Sequence, residues 1–220
     1  MTVDGVLFAP VFDEATVYSH AWCQALDASI KQLHLDTLFT GGRAIARREA
    51  EAILADHPTS FYVHYGHGSE DAHWGSASYA LIDLQNVDRL TGRDVYCMNC
   101  LSAKRLGVEA HRCGCTAYWG YIEVFSFSTE CPDDFRDFAN CGLLCHLQGN
   151  PWSRCVELAR ELAATIAEKL INAGQYIAAI LLQRNSDALR CWDGEAPPTP
   201  EENWWDRFLR WLCDLLDRIF

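Results

Sequence analysis

Short apolar runs alternate with longer segments of helical spacing along most of the chain. Repeated alternation of strand and helix favours βαβ units, in which parallel strands form one sheet with helices on both faces. We therefore predict an α/β fold, a three-layer αβα sandwich around a mostly parallel central sheet. The predicted strands are 6–12, 36–40, 60–65, 94–99 and 116–127, and the predicted helices are 15–35, 43–56, 103–112 and 152–173, with 177–183 either continuing the last helix or beginning another.

Composition limits the classes of partner. Half of the 220 residues are hydrophobic, which is enough to fill the core of one such domain. The formal net charge is -12, with an isoelectric point near 5.0. Because an acidic surface repels phosphate backbones, we expect no nucleic-acid partner and a preference for basic peptide or protein segments.

The eleven cysteines bear on location. We expect no secretion signal, since no N-terminal segment combines a basic start, an apolar run and a cleavage site. The chain contains no run of about 18 uninterrupted apolar residues, so we expect no transmembrane helix. We therefore expect a cytoplasmic protein whose thiols are reduced.

The C-terminal part differs in composition from the rest. Residues 1–193 are expected to form the domain, and residues 194–203, rich in proline and acidic residues, a linker. Residues 204–220 carry a Trp-rich stripe at helical spacing and predict an amphipathic helix. Its polar side is not predominantly basic, so contact with protein, either its own domain or a regulatory partner, is favoured over membrane binding.

Two predicted strands end in residues suited to nucleophilic catalysis. One ends in His67 between two glycines, and the other ends in Cys100. A cysteine peptidase needs a thiolate and a nearby imidazole, which a sheet can bring together from the carboxyl ends of neighbouring strands. Glycines beside the imidazole allow a sharp turn, and the N–H groups of Gly68 and Cys100 are candidates for binding the developing oxyanion.

These two strand ends resemble a known family. The Gly-His-Gly at 66–68 after an apolar strand, and the Cys-x-Ser at 100–102 about thirty residues later, resemble the caspase-like clan CD cysteine peptidases, closest to the gingipain-like and CHAT-domain members. The resemblance covers residues 3–193. It implies a caspase–haemoglobinase fold and a thiol protease that hydrolyses peptide bonds through a thioester, with His67 and Cys100 catalytic and no cofactor. Relatives serve in bacterial defence or regulated cell death, and many of them favour basic residues.

Specificity is predicted from four acidic residues near the expected cleft. An acidic residue there would select Arg or Lys before the scissile bond through a salt bridge. The chain lacks the Gln-Ala-Cys-x-Gly run of true caspases, so their specificity for aspartate is not implied. Each carboxylate is alternatively an ordinary solvated one. The candidates are Glu70, Asp71, Asp83 and Glu123.

Several other residues have simpler interpretations. Cys97 and His64 lie inside strands and are expected to be buried. Ser102 either stabilises the turn after Cys100 through its hydroxyl or caps the following helix, and we favour the cap. Cys113 and Cys115 near His111, and Cys141 and Cys145 near His146, invite a metal-binding interpretation. Structural zinc sites usually have two matched cysteine pairs with two to four intervening residues, and Cys113 and Cys115 are too close for such a pair, so no metal is expected.

Two matters stay open from the sequence. The first hypothesis is an active endopeptidase, and the second is a non-catalytic binding or scaffold protein on the same fold. The third is a metal-binding regulatory module that uses Cys113, Cys115, Cys141 or Cys145. Residues 69–80 and 128–150 are candidates for mobile parts of the site, by analogy with enzymes whose loops are ordered on activation.

Overall fold

A central six-stranded sheet organises the computed structural model, which describes residues 3–194. The elements are β1 (Gly5–Ala9), α1 (Glu14–Gln32), β2 (Thr37–Gly41), α2 (Arg47–Asp56), β3 (Phe61–Tyr65), β4 (Ala72–Trp74), β5 (Ala80–Asp83), a 3-10 turn (Val87–Leu90), β6 (Asp94–Met98), α3 (Arg105–Arg112), β7 (Ala117–Tyr121), α4 (Pro132–Leu147), α5 (Trp152–Asn172), α6 (Tyr176–Ala188) and β8 (Leu189–Asp193). Strands and helices alternate as predicted from β1 to β3 and from β6 to β7, whereas a hairpin follows β3 and three consecutive helices follow β7.

The strand order of the sheet is β2-β1-β3-β6-β7-β8. Every neighbouring pair is parallel except β7 and β8, so only the edge strand β8 runs the other way. β4 and β5 form a separate antiparallel hairpin between β3 and β6 in sequence. The protein is therefore α/β with a mostly parallel sheet, as the sequence predicts.

Side chains alternate between two cores, one on each face of the sheet. On β1, Leu7 faces the core under α1, α4, α5 and α6, whereas Val6 and Phe8 face the core under α2, α3 and the hairpin. On β6, Tyr96 belongs to the first core and Cys97 to the second. This arrangement is consistent with the expected three layers.

The structure differs from the sequence expectation in several segments. β7 ends at Tyr121 rather than near 127. Of the two alternatives for 177–183, the structure shows the second, because α5 and α6 are separate helices. The two segments named as candidates for mobile parts contain regular structure. Residues 69–80 contain β4 and the first residue of β5, and residues 128–150 contain α4. Gly142 lets α4 pack closely on the sheet, because a Cβ there would lie 2.5 Å from the Trp119 ring. Together with Phe135 and Phe138 of the same helix, this makes α4 part of the core.

The C-terminal predictions lie mostly outside the described part of the chain. Gly194 is the last described residue, so the rest of the predicted linker and the whole of 204–220 are not covered. Between residues 3 and 194, no helix has the length and apolar character needed to cross a membrane.

Candidate active site

His67 and Cys100 leave adjacent strands at the same level. β3 and β6 are parallel neighbours, and Tyr65 pairs with Met98 at their carboxyl ends. Each candidate residue follows its strand end by two positions. Since neighbouring strands lie about 4.8 Å apart, the register alone brings the two loops to one point of the sheet edge.

Gly68 shows how closely these loops approach each other. A Cβ on this glycine would lie 2.6 Å from Asn99 Cβ and 2.9 Å from the carbonyl oxygen of Cys100. Both contacts are shorter than normal packing allows, so residue 68 has no room for a side chain. The glycine after His67 is therefore required by the contact with the cysteine loop, in addition to any freedom of turning.

The imidazole of His67 has a carboxylate partner. Its Nε2 lies 2.7 Å from Oδ2 of Asp13, and both side chains are about two-fifths exposed, at 42% and 43%. Its ring also contacts Phe12, with ring centroids 5.5 Å apart. Because Asp13 occupies Nε2, Nδ1 is the ring nitrogen left to face a thiol or substrate.

Asp13 is fixed by the start of α1. Its side chain accepts a hydrogen bond from the Thr16 N–H at 2.9 Å and forms a capping box with that residue. Burial raises the pKa of Asp13, but the hydrogen bonds from Thr16 and His67 outweigh it and hold the pKa below its usual value. The carboxylate is thus charged at neutral pH and already oriented toward His67.

Sequence reasoning missed Asp13. A signal was present, since this acidic residue follows the carboxyl end of β1, the strand next to β3 in the sheet. An aspartate before a helix is already explained by capping, so the sequence alone gives no reason to expect the second role of Asp13 as the partner of His67.

Cys100 is half-buried at the edge of the core. Its Sγ donates a weak hydrogen bond to the Phe125 carbonyl at 3.8 Å, and within residues 3–194 no hydrogen bond joins this sulfur to the His67 ring. Burial raises the pKa of the Cys100 thiol. The thiol is therefore protonated at neutral pH unless a base removes its proton.

The turn after Cys100 is strained. Leu101 has a φ of 60°, a left-handed conformation that non-glycine residues rarely adopt. Its N–H donates to the Glu123 carbonyl at 3.0 Å, which ties the turn to the segment after β7. Such strain persists only where surrounding contacts impose it, and it is common at functional sites.

Among the turns and loops of the described residues, no backbone carbonyl accepts a hydrogen bond from either of the two proposed oxyanion N–H groups. Gly68 forms an isolated antiparallel bridge with His73, but the hydrogen bonds of this bridge come from Ser69 and Trp74, which donate to Ala72 and His67 at 2.9 and 3.0 Å. The N–H of Gly68 consequently points away from β4. The Gly68 N–H thus has no backbone acceptor, whereas the Cys100 N–H lies against the sulfur of its own residue.

The four carboxylates predicted to bind substrate are spread over the molecule. Each is paired with a basic side chain of this chain. Asp83, the last residue of β5, contacts Arg47, the first residue of α2. The other pairs are Glu70 with Lys104 at 2.8 Å, Asp71 with Arg105 at 2.8 Å, and Glu123 with Arg184 at 3.5 Å. The structure does not gather the four into one pocket.

The capping interpretation of Ser102 is wrong. α3 begins at Arg105, and no side chain caps it. Ser102 is fully buried, and its Oγ donates to the Asn99 carbonyl at 3.5 Å across the turn that contains Cys100, as the alternative interpretation of this residue predicts. A Cβ on Gly120 would lie 2.8 Å from this oxygen, so the hydroxyl packs against β7 instead of the helix start.

Cys97 and His64 are buried, as predicted. Cys97 belongs to a second cysteine–histidine pair that the sequence did not reveal, because its Sγ lies 3.3 Å from Nε2 of His73. That same nitrogen lies 3.0 Å from the Tyr118 hydroxyl, while Nδ1 lies 3.1 Å from the Tyr62 hydroxyl. In the described residues, no group of three or more His, Cys, Asp or Glu side chains could hold a metal ion.

Neither a protein-family model nor a curated protein sequence matches the chain. What the fold and site define is an α/β protein with a histidine–aspartate pair and a cysteine at adjacent strand ends. Any assignment of activity therefore depends on the geometry of these residues.

Proposed function

We propose that the chain is a caspase-like cysteine endopeptidase in which Cys100 is the nucleophile and His67 its base. The observation that carries this proposal is the register of β3 and β6, which delivers both residues to one sheet edge with their loops in contact. The mostly parallel sheet with helices on both faces agrees with the caspase–haemoglobinase fold that the sequence resemblance implies.

The first half of the reaction forms a thioester. His67 takes the proton of the Cys100 thiol, and the sulfur attacks the carbonyl carbon of the scissile peptide bond. The carbonyl oxygen becomes an oxyanion that accepts hydrogen bonds from the N–H groups of Gly68 and Cys100. The protonated imidazole then gives its proton to the amine, the C–N bond breaks, and the amine leaves.

The second half releases the other product. His67 removes a proton from a water molecule, whose oxygen attacks the thioester carbon. The C–S bond breaks, the carboxylic acid departs, and the sulfur recovers a proton from the imidazolium. Both halves pass through a charged imidazolium, which the Asp13 carboxylate at 2.7 Å stabilises and orients.

Basic peptide segments are the substrates that the charge favours. The net charge of -12 attracts them, and Glu70 and Asp71 lie in the loop that follows His67. A substrate Arg or Lys would replace Lys104 or Arg105 as the partner of one of these carboxylates. Since all ten cysteines of the described residues are free, we also place the protein in the reducing cytoplasm.

One observation favours a second candidate, a non-catalytic binding protein on the same fold. The Cys100 sulfur donates to Phe125 and makes no hydrogen bond with the His67 ring. Catalysis requires this sulfur to turn from Phe125 toward the imidazole, a side-chain rotation that is open to the free protein as well as to the complex.

Cleavage of a diverse peptide library, read by mass spectrometry, separates the two candidates. We expect cleavage by the native chain, enriched after Arg and Lys, and none by Cys100→Ala. Cys97→Ala is the matched control and should retain cleavage. If the Cys100→Ala protein cleaved the library as well as the native chain did, the peptidase proposal would be wrong.

A further inference from the structure

The residue before Cys100 joins the two loops of the site. Asn99 is buried, with 1% of its surface exposed. Its Nδ2 donates to the Gly66 carbonyl at 2.8 Å and lies 3.3 Å from the His67 carbonyl. These two carbonyls stand on either side of the His67 backbone. A single amide group thus connects the histidine loop to the cysteine loop.

The orientation of this amide is fixed. Carbonyl oxygens only accept hydrogen bonds, so the nitrogen of the Asn99 amide must face Gly66 and His67. Its second hydrogen points to Nδ1 of His64, 2.8 Å away. His64 therefore has to present an unprotonated Nδ1, which leaves the proton on Nε2 to donate to the Trp74 carbonyl at 3.2 Å.

The surroundings of His64 keep it in that neutral form. The ring is fully buried and stacks on His73, with centroids 5.0 Å apart and planes within 8°. Burial lowers the pKa of His64 to about 4, outweighing the opposing effect of its hydrogen bonds to Asn99 and Trp74. At neutral pH, His64 is an acceptor that holds the Asn99 amide in place.

The oxygen end of the amide differs from the nitrogen end. The Asn99 Oδ1 is buried and has no hydrogen-bond partner among the described residues. An unsatisfied buried oxygen costs about 1–3 kcal/mol. The side-chain hydrogen bonds of Asn99 therefore all run through its nitrogen, toward the histidine loop and His64.

We propose that Asn99 is a positioning residue of the peptidase site, and that neutral His64 holds its amide so that the His67 and Cys100 loops stay in productive register. This inference rests on the proposed function of Cys100 and His67. Asn99 acts through the backbone around His67 and through Cys100, the next residue. Its loss should therefore weaken only the part of the Cys100 reactivity that depends on His67.

A double-mutant cycle on thiol reactivity tests this dependence. The rate of Cys100 alkylation by iodoacetamide at pH 7 is followed by mass spectrometry of the peptide that carries it, without any need for a substrate. We expect His67→Ala to slow alkylation, because the base that removes the thiol proton is gone. Asn99→Ala should slow it by a similar factor, about tenfold or more. Adding Asn99→Ala to His67→Ala should change nothing further.

Two substitutions of His64 form a matched pair that probes the orientation of the amide. The side-chain oxygen of asparagine can take the place of Nδ1, so His64→Asn keeps an acceptor for Asn99. The longer glutamine reaches toward the Nε2 position, so His64→Gln keeps the contact with Trp74 and loses that acceptor. We expect alkylation near the native rate for His64→Asn and slowed alkylation for His64→Gln. This pair carries the test if Asn99→Ala fails to fold.

Tyr62→Phe is the control for a purely structural effect. It removes the hydroxyl that bonds to His73 in the same buried network and has no hydrogen bond to either loop. It should lower the melting temperature and leave alkylation of Cys100 unchanged. If Asn99→Ala and His64→Gln behaved like this control, Asn99 would not be a positioning residue. Equal rates for the native chain and His67→Ala would instead overturn the proposed function itself, and this inference with it.

Discussion

The molecule has two cysteine–histidine pairs close together in sequence, Cys97 with His73 and Cys100 with His67. The pair with the shorter sulfur–nitrogen contact, Cys97 with His73, is the one we consider inert. Cys97 and His73 are hydrogen-bonded at 3.3 Å and completely buried. Cys100 and His67 sit at the sheet edge, partly exposed, without a direct hydrogen bond between them. In the proposed peptidase, access to solvent and a charged partner therefore distinguish the catalytic pair, and a short sulfur–nitrogen distance does not.

The electrostatic surroundings explain the difference. Burial lowers the pKa of His73 well below its usual value, with a further contribution from His64, and burial raises the pKa of Cys97. Proton transfer would create two charges in a site whose neighbours are the uncharged hydroxyls of Tyr62 and Tyr118. At the sheet edge, the Asp13 carboxylate compensates an imidazolium at His67.

The largest effect expected in this comparison comes from replacing each of the two cysteines by alanine in turn. Cys100→Ala should reduce peptide cleavage by roughly a thousandfold or more, because the nucleophile is absent. Cys97→Ala should keep cleavage and cost about 1–2 kcal/mol of unfolding free energy, through a small cavity beside His73. Cleavage rates and denaturant unfolding of both variants check this. The reverse result would make Cys97 the nucleophile.

A second prediction concerns Asp13, which supports His67 and has no counterpart at His73. Asp13→Asn and Asp13→Ala should both lower kcat by about 10²–10⁴-fold, since neither can stabilise the imidazolium. They should differ in stability, because asparagine still caps α1 while alanine loses about 1 kcal/mol of capping. Steady-state kinetics and thermal melting distinguish the two roles. A native kcat in Asp13→Asn would remove the aspartate from the mechanism.

A third prediction concerns the contact between loops that only the exposed pair has. Gly68→Ala places a methyl group against Asn99 and the Cys100 carbonyl, so the loops must separate. We expect cleavage to fall by about a hundredfold, since a displacement of about 1 Å at the site has effects of that size. Gly149→Ala is the control, because it strains a backbone with φ of 92° in open space. It should lower stability and keep cleavage.

The smallest effect expected is a pH dependence of folding from the buried histidines. The pKa of His64 falls from 6.5 to about 4 on folding, so the unfolded chain binds a proton more readily. Its contribution to stability is complete above pH 6.5 and is lost as pH falls toward 4, by about 3 kcal/mol in total. Urea unfolding of the native chain and His64→Asn across this range checks it. Equal slopes for the two proteins would contradict the neutral, buried state of His64.

Much of the sheet could be predicted from the sequence because its strands are short apolar runs that end at glycine or polar residues. Cys100 and His67 could be located for the same reason, since both follow such runs. The buried positions of Cys97 and His64 followed from their places inside strands. These are local properties that the side-chain pattern carries directly.

The missed features depend on contacts between distant segments. α4 contains Cys, Asn and Gly residues that weaken its helical pattern, and it is stabilised by packing against Trp119 and α5. Asp13 and His67 are far apart in sequence, and His73 lies in a polar stretch whose strand is three residues long. The four acidic residues predicted for specificity acquired basic partners that no local pattern shows.

The most direct test of the site is covalent labelling by a peptide acyloxymethyl ketone ending in arginine, with the labelled residue identified by mass spectrometry. Such a reagent alkylates a thiol that an adjacent imidazole activates. We predict a single label on Cys100, strongly reduced in His67→Ala and in Asp13→Asn and unaffected in Cys97→Ala. Labelling of Cys100 at the native rate without His67, or labelling of Cys97 instead, would contradict the account.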